Sequence, residues 1–390
     1  MNALHGPLPR PAIEFEHVDI VFGQSPKRAL ALLDAGRTRD EILRETGNIL
    51  GVADASLSVQ QGEICVLMGL SGSGKSTLLR AVNQLNKVSR GKVLVEHDGA
   101  QVDVGSCDAA TLRAVRSRSV AMVFQQFGLL PWRSVRDNVG LGLELRGMGK
   151  AARTRVVDEK LVMVGLTQWA DKAVHELSGG MQQRVGLARA FATDAQILLM
   201  DEPFSALDPL IRSKLQDELL DLQRRLQKTI LFVSHDLDEA LKIGNRIAIM
   251  EGGRIVQCGT PEDIVLRPAN DYVRAFVAHM NPMHVLSAEA VMRRADALPR
   301  NGLALVLDDA RALHLTLDAA GCPASASLAG RALALAAPEG LTIAPCDIKL
   351  HEAIVLQRAS AYPLVLVDRN SRFVGVCGDG EIYRGLLRDL

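Results

Sequence analysis

One glycine-rich segment constrains the fold of this chain more strongly than any other feature of the sequence. It runs from Val66 to Thr77, Val-Leu-Met-Gly-Leu-Ser-Gly-Ser-Gly-Lys-Ser-Thr, and fits the pattern G-x-x-x-x-G-K-[ST]. The flanking residues predict a buried strand over 64–68 and a helix over 77–85, the context that this pattern requires. Glycines let the loop curl so that its backbone N–H groups point inward and bind an anion at a helix N-terminus. The segment therefore predicts a phosphate loop in a nucleotide-binding protein.

Two side chains of the same segment add specific contacts. Lys75 is placed to reach the β- and γ-phosphates of a nucleotide, and the Ser76 hydroxyl is placed to ligate magnesium. The alternative is a glycine-rich turn capped by a serine, and the strand and helix on either side argue against it. The predicted nucleotide-binding residues of the loop are Gly69, Leu70, Ser71, Gly72, Ser73, Gly74, Lys75, Ser76 and Thr77.

A second apolar strand, 197–200, ends in two carboxylates. This strand would deliver Asp201 to magnesium, and Glu202 can polarise a water in line with the γ-phosphate. The alternative is a strand that runs into an acidic helix cap. The segment by itself does not distinguish this cap from a catalytic pair. Beside a phosphate loop, the pair favours ATP hydrolysis with Asp201 as a metal ligand and Glu202 as the catalytic base.

The string Leu-Ser-Gly-Gly-Met-Gln-Gln-Arg over 177–184 is a third distinctive motif. Ser178, Gly179 and Gly180 stand at the start of a helical stretch at 181–193 and predict another anion-binding helix terminus. By itself the string would be an ordinary helix cap. Its occurrence with the phosphate loop and the carboxylate pair favours a contact with nucleotide.

Together these motifs resemble the ATP-binding subunits of ABC transporters, from about residue 12 to residue 280. The resemblance implies that Gln125 bridges magnesium and the surface that contacts the membrane partner. It implies that His235 is the switch histidine, which donates a hydrogen bond to the γ-phosphate. It places Phe22 against adenine. Taken alone, a glutamine would be surface decoration, a histidine a satisfied polar residue, and a phenylalanine a core residue.

The same resemblance implies an assembly. Asp208 ends the loop 205–208 that the family places at the nucleotide, and Ser178 and Gly180 complete the ATP site of the opposite subunit. The expected unit is a head-to-tail homodimer that sandwiches two nucleotides. In the family such dimers bind an integral-membrane permease at the cytoplasmic face of the inner membrane.

A narrower resemblance concerns the transported solute. A helical insertion at 23–51, together with strings at 69–74, 125–132 and 208–212, is similar to importers of glycine betaine, proline betaine and choline. The strings 132–135 (Trp-Arg-Ser-Val) and 191–195 (Phe-Ala-Thr-Asp-Ala) resemble the choline-type members most closely. This resemblance implies ATP-driven import of a quaternary ammonium compound, with an extracytoplasmic solute-binding protein in the same system. No residue of this chain is expected to contact the solute.

Two other classes of function remain as alternatives. A non-transport ABC ATPase acting on DNA or the ribosome usually carries long coiled coils, and the stretch between Gln125 and Ser178 is too short for one. The formal net charge of +0 also disfavours a nucleic-acid partner. A regulator that only binds ATP is disfavoured because Glu202 and His235 are both present. An importer ATPase for another small solute stays open.

The expected fold class is α/β, a P-loop ABC ATPase domain over 1–280 with a mixed sheet, an antiparallel β subdomain and a helical subdomain at about 126–180. Residues 281–390 predict a CBS-like regulatory tail. Its second copy, at about 342–388, reads as helix, strand, turn, strand and helix. The first copy, 283–341, matches only loosely. A structural dimerisation tail is the alternative.

Two positions of the tail depart from relatives that bind adenosine ligands. Those relatives carry Ser or Thr and Asp near the start of the closing helix, where this chain has Gly378 and Glu381. Nucleotide binding by the tail is therefore not expected.

Length and composition set the remaining limits. A chain of 390 residues can hold two or three domains with their own cores. The six cysteines are scattered and predict reduced thiols. No apolar run approaches the length of a spanning helix, and residues 1–16 lack the apolar core of a signal peptide. We therefore expect a chain that reaches the membrane only through a partner.

Overall fold

The computed structural model describes residues 10–125, 128–205, 207–278, 281–301, 304–308, 310–336 and 340–387. The chain divides into two compact units, and the boundary lies between Thr260 and Pro261. The sequence placed this boundary near residue 281, and the structure places it earlier. The reason is that the helix beginning at Pro261 belongs to the second unit, where the Glu262 carboxylate accepts the N–H of Ser287 at 3.1 Å.

Two sheets form the framework of the first unit. One is antiparallel with the order β2-β1-β4-β5, and the other has the order β10-β9-β3-β8-β7-β6. In the second sheet β3 and β6 to β9 run parallel, and β10 is antiparallel to β9. Strands β1 to β10 span Ile13–Phe22, Ile49–Val59, Ile64–Met68, Arg90–His97, Ala100–Asp103, Val120–Val123, Ile197–Asp201, Thr229–Val233, Arg246–Glu251 and Arg254–Gly259.

Helices connect these strands and build the helical subdomain. A π-helical turn, Val115–Ser119, follows α4, and 3-10 turns at Thr167–Trp169 and Val174–Glu176 precede α7. Helices α1 to α9 span Pro26–Asp34, Arg39–Thr46, Lys75–Leu79, Ala109–Ala114, Val135–Leu145, Lys150–Met163, Gly179–Ala192, Pro209–Leu226 and Leu237–Ile243. In the described residues, no helix is both long enough and apolar enough to cross a bilayer.

The central parallel strands form where the sequence has uninterrupted apolar runs. Every residue of β3, β7 and β8 is buried, as expected for strands covered on both faces. By contrast, β1 begins with alternating burial, because only one face of the antiparallel sheet meets the core. Phe15 of that sheet and Leu67 of the parallel sheet belong to the same hydrophobic cluster, so the two sheets share one core.

The helix after the phosphate loop differs from its prediction. It was expected over 77–85, and it begins at Lys75 and ends at Leu79. Beyond it the N–H groups of Leu85 and Asn86 both bond to the carbonyl of Arg80, at 3.0 and 3.2 Å. Gln84 takes a left-handed φ of 55°, so the helix cannot continue through this turn.

The region of the predicted insertion contains two short helices, α1 and α2, broken at Gly36. Gly36 has a φ of 76°, a conformation that side chains with a Cβ disfavour. A capping box starts α2, in which Thr38 and Glu41 bond to each other's backbone N–H. Ala29, Leu33 and Ile42 form a small core with two residues of β2, so the insertion packs on the antiparallel sheet.

The second unit contains two further sheets, with the orders β12-β13-β14-β15-β16 and β11-β19-β18-β17. Strands β11 to β19 span Arg293–Arg294, Arg300–Asn301, Ala304–Asp308, Leu313–Leu317, Pro323–Leu328, Arg331–Leu333, Ile343–Pro345, Leu364–Val367 and Phe373–Cys377. Helices α10 to α14 span Pro261–Leu266, Asp271–Val277, Ala288–Val291, Leu350–Ala359 and Asp379–Leu387, with 3-10 turns at Pro282–His284 and Ala295–Ala297.

The second half of the expected tail has the predicted elements, whereas the first half does not. After residue 342 the order β17, α13, β18, β19, α14 contains the predicted helix, strand, turn, strand and helix. The expectation of a loosely matching first copy at 283–341 is wrong, because β12 to β16 form an antiparallel meander there. Leu313 and Leu315 are buried on one face of β14 with His314 between them, a period of two that specifies strand.

Candidate nucleotide site

Glycines give the phosphate loop its shape and let it fit between the two sheets. Gly69 and Gly74 have φ of 142° and 103°, and both face backbone. A Cβ on Gly69 would overlap the carbonyl oxygen of Met250, and one on Gly74 would overlap that of Gly51. The carbonyl of Ser73 in turn accepts the N–H of Gly253 at 3.1 Å. The loop is therefore fixed by backbone from β2 of one sheet and from the β9–β10 turn of the other.

Lys75 lies beneath this loop. Its ammonium donates to the carbonyls of Gly69 and Leu70, at 2.8 and 3.0 Å, and the residue is 5% exposed. Burial lowers the pKa of Lys75, and the nearby carboxylates of Glu202 and Asp201 oppose that shift. A phosphate bound at the loop would add anionic oxygens as charge-assisted hydrogen-bond partners of this buried ammonium.

Ser76 and Asp201, both predicted metal ligands, lie side by side. The Ser76 hydroxyl donates to Oδ1 of Asp201 at 2.6 Å, and Arg80 contacts Oδ2 at 2.7 Å. Asp201 is 1% exposed, so Arg80 balances a buried charge. A hydroxyl beside a carboxylate suits Mg²⁺, which prefers oxygen donors. The described residues contain no cluster of three or more His, Cys, Asp or Glu for a metal, so phosphate oxygens and waters would supply the other ligands.

The three residues predicted as catalytic converge on one oxygen atom. Oε2 of Glu202 accepts a hydrogen bond from the Gln125 amide at 3.1 Å and lies 3.2 Å from Nδ1 of His235. Glu202 has a φ of 47°, a strained conformation for a residue with a side chain. Its N–H donates to the carbonyl of Val233 at 3.1 Å, which holds this turn against the end of β8.

A cleft opens above the loop. It encloses about 660 Å³, part of it open to solvent, and Phe22, Arg39, Ile49 and Glu202 line it together with the loop. Phe22 is 39% exposed, which argues against a core role, and it lines the cleft. Arg39 belongs to the insertion, and neither Arg39 nor Ile49 lies in a sequence motif that marks it as a site residue.

The motif at 177–180 lies in a separate depression. Ser178, Gly179, Gly180 and Asp208 line it, and none of them lines the cleft above the phosphate loop. Asp208 caps α8 by accepting the N–H of Ile211 at 3.1 Å. Ser178 occupies the cap position of α7, but its hydroxyl makes no capping bond. Within one chain the structure thus keeps these residues apart from the phosphate loop.

The sequence of this chain is similar to those of known nucleotide-binding proteins. Residues 52–205 match the ABC transporter family. The chain is 43% identical to the glycine betaine/proline betaine transport system ATP-binding protein ProV of Escherichia coli, over 97% of this chain and 98% of that protein. This chain belongs to the ABC transporter family. As an ABC ATPase it binds ATP and hydrolyses it.

Other relatives agree with the narrower resemblance. The glycine betaine/carnitine transport ATP-binding protein GbuA of Listeria monocytogenes is 49% identical over 73% of this ABC ATPase and 70% of its own length. A solved dimeric ATP-binding cassette in a post-hydrolysis state, bound to ADP and phosphate, is 29% identical with a TM-score of 0.53. It covers 64% of this chain and 98% of its own. The predicted membership of the quaternary-amine group is confirmed, while these names do not separate choline from glycine betaine.

We expect Glu202→Gln to abolish turnover in this ABC ATPase and leave ATP binding unchanged. The amide cannot accept the proton of the attacking water, while the phosphate contacts of Lys75 and the loop remain. The rate should fall by about 10²–10⁴, the usual contribution of a general base. Phosphate release and binding of a fluorescent ATP analogue measure the two quantities. Glu159→Gln, at an exposed position of α6, is the control. Turnover by Glu202→Gln near the wild-type rate would contradict the assignment.

Proposed function

We propose that this ABC ATPase powers the import of a quaternary ammonium compound, choline or glycine betaine, through a separate membrane permease. The similarity to ProV carries the proposal, because it covers 97% of this chain and therefore includes the insertion and the second unit. The relatives' names state glycine betaine, proline betaine and carnitine. An extracytoplasmic solute-binding protein would deliver the solute, and a nucleic-acid partner is not expected.

The chemistry follows from the groups around Glu202. Lys75 and the loop N–H groups bind the phosphates and stabilise charge that develops on them. Glu202 accepts the proton of the attacking water, and Gln125 and His235 orient its carboxylate. Ser76, Asp201 and Gln125 would hold Mg²⁺, whose charge would neutralise that of the phosphates when bound.

The second part of the proposal is a homodimer whose ATP sites are shared. Ser178, Gly179, Gly180 and Asp208 would serve the nucleotide bound at the opposite subunit's phosphate loop. Their separation from the loop within one chain supports this arrangement. The lack of a capping bond from the Ser178 hydroxyl and the dimeric state of the solved relative also support it. Binding of two ATPs would close the dimer, and hydrolysis would release it.

The permease would sit in an apolar groove beside Gln125. Leu85, Met122, Phe124, Leu141 and Leu145 line a depression of about 1060 Å³ between the parallel sheet and the helical subdomain. Leu85 and Leu145 are 53% and 80% exposed, so the groove presents apolar area that an apolar helix of a partner can cover. Such a contact would hold this chain at the cytoplasmic face of the inner membrane.

The second unit would serve regulation. We propose that the β17–α14 segment is a CBS-like module that biases transport without an adenosine ligand. Its elements have the expected order, and Glu381 already occupies the position at the start of α14. The Glu381 carboxylate accepts the N–H of Gly378 at 2.9 Å and pairs with Arg384 at 3.1 Å. The Glu381 carboxylate thus already occupies this N–H, and its negative charge would repel a phosphate.

Vesicle uptake tests the transported solute. Vesicles with the complete complex should accumulate radiolabelled choline or glycine betaine when ATP is supplied, and vesicles with Glu202→Gln should not. Leu145→Asp should reduce uptake and leave ATP binding by the isolated chain intact, because it places a charge in the permease groove. Uptake of a sugar or an ordinary amino acid, with none of choline or betaine, would refute the quaternary-amine assignment.

Mixed dimers test the shared sites. Ser178→Arg and Lys75→Ala should each abolish hydrolysis alone, and their mixture should recover activity. Each mixed dimer keeps one composite site that contains neither substitution. Phosphate release by the mixture, compared with both parents at equal total protein, measures the recovery. Activity no higher than that of either parent would count against the shared arrangement.

Titration with AMP tests the second unit. Lys75→Ala lowers nucleotide binding at the phosphate loop and leaves the second unit intact, so calorimetry on this full-length variant isolates the tail. We expect no micromolar binding of AMP. Micromolar binding that Glu381→Ala alters would show that the tail binds an adenine nucleotide after all.

A further inference from the structure

Polar contacts close the base of the helical insertion and tie it to the antiparallel sheet. At its base, the Asn48 side chain accepts the N–H of Ser25 at 3.1 Å. On its outer side, Arg90 of β4 bridges buried Asp19 at 2.6 Å and Asp34 of α1 at 2.9 Å. These contacts, with the small core around Ile42, hold α2 in one position beside the phosphate loop.

This position brings one arginine to the cleft. Arg39 is the first residue of α2, and one of its guanidinium nitrogens donates to the carbonyl of Gly72 at 2.8 Å. Arg39 also lines the cleft above the loop, together with Ser71 and Lys75. Because the capping box of Thr38 fixes where α2 begins, it also fixes where this side chain leaves the helix.

The surroundings leave Arg39 able to bind an anion. Within the described part of the chain, no carboxylate lies within 4.0 Å of its guanidinium. Its neighbour Arg37, by contrast, pairs with Glu41 at 3.3 Å. A guanidinium has five donors, and the bond to Gly72 uses one of them. Arginine binds phosphate by charge-assisted hydrogen bonds that are about twice as strong as neutral ones.

We propose that Arg39 is a nucleotide-binding residue, which the insertion supplies to the phosphate loop and which contacts the polyphosphate of ATP. The inference rests on the proposed assignment of 69–77 as the loop that binds ATP. It gives the insertion a function at the site, in addition to its resemblance to the quaternary-amine group. Lys75 would bind the phosphates from the start of α3, and Arg39 would bind them from the start of α2.

Substitutions in the full-length protein separate a phosphate contact from a scaffolding role. Arg39→Gln removes the charge, and Arg39→Lys keeps it. Arg44→Gln is the matched control, because Arg44 is an exposed residue of the same helix that does not line the cleft. Binding of a fluorescent ATP analogue with Mg²⁺ is measured across a series of NaCl concentrations, and thermal unfolding verifies that each variant is folded.

We expect Arg39→Gln to weaken binding by about tenfold, as loss of a hydrogen bond between charged groups predicts. Its affinity should also depend less on salt, because one screened charge contact is gone. Arg39→Lys should retain the salt dependence, and Arg44→Gln should bind within about twofold of the wild type, as surface substitutions usually do. Wild-type affinity or wild-type salt dependence in Arg39→Gln would overturn the proposal. Loss of the salt dependence in Arg39→Lys would overturn it as well.

Lys75→Ala distinguishes a failure of the Arg39 contact from a failure of the proposed phosphate loop. If Lys75→Ala loses affinity and Arg39→Gln does not, the Arg39 contact is refuted and the phosphate loop stands. If the Lys75→Ala variant binds as the wild type does, the proposed loop itself is refuted, and the Arg39 inference fails with it.

Discussion

The contact between the phosphate loop and the carbonyl oxygens of Met250 and Gly51 is the constraint on which the rest of the site depends. These carbonyls come from different sheets, and they leave no space for a side chain at Gly69 or Gly74. The loop therefore occupies the seam between the sheets, where the N–H of Gly253 also bonds to it. Anything that binds there also joins the antiparallel sheet to the parallel one.

Buried charge is the second organising feature. Asp201 is almost fully buried, and Arg80 and the Ser76 hydroxyl share its two oxygens. Lys75 is also buried, and its ammonium rests on two backbone carbonyls. Buried charges are costly unless they are paired, so the protein keeps these groups solvated by its own polar atoms until a nucleotide is present. Phosphate oxygens would become partners of the Lys75 ammonium, and the buried charges do not have to be assembled at that moment.

The fold could be predicted wherever a local pattern decides the structure. The apolar runs of β3, β7 and β8 and the break at Gly36 are of this kind. The alternation of buried and exposed residues does not reveal β10, because its residues after the first are all half-buried. It also fails for contacts between distant residues: Arg39 lies 33 residues from Gly72, and Arg80 lies 121 residues from Asp201. Motifs located the loop and the carboxylates because their spacing is fixed, whereas neither arginine belongs to such a motif.

The shared oxygen of Glu202 connects two loops that are far apart in sequence. Gln125 follows β6 and is next in sequence to Phe124 of the proposed permease groove, while His235 follows β8. A carboxylate held from both sides is correctly aimed only when both loops are in place. Catalysis therefore requires both loops in place, so displacement of either loop alone would lower the rate of ATP hydrolysis. A permease seated in the proposed groove, which Phe124 lines, would act on the first of these two loops and so change the rate of hydrolysis.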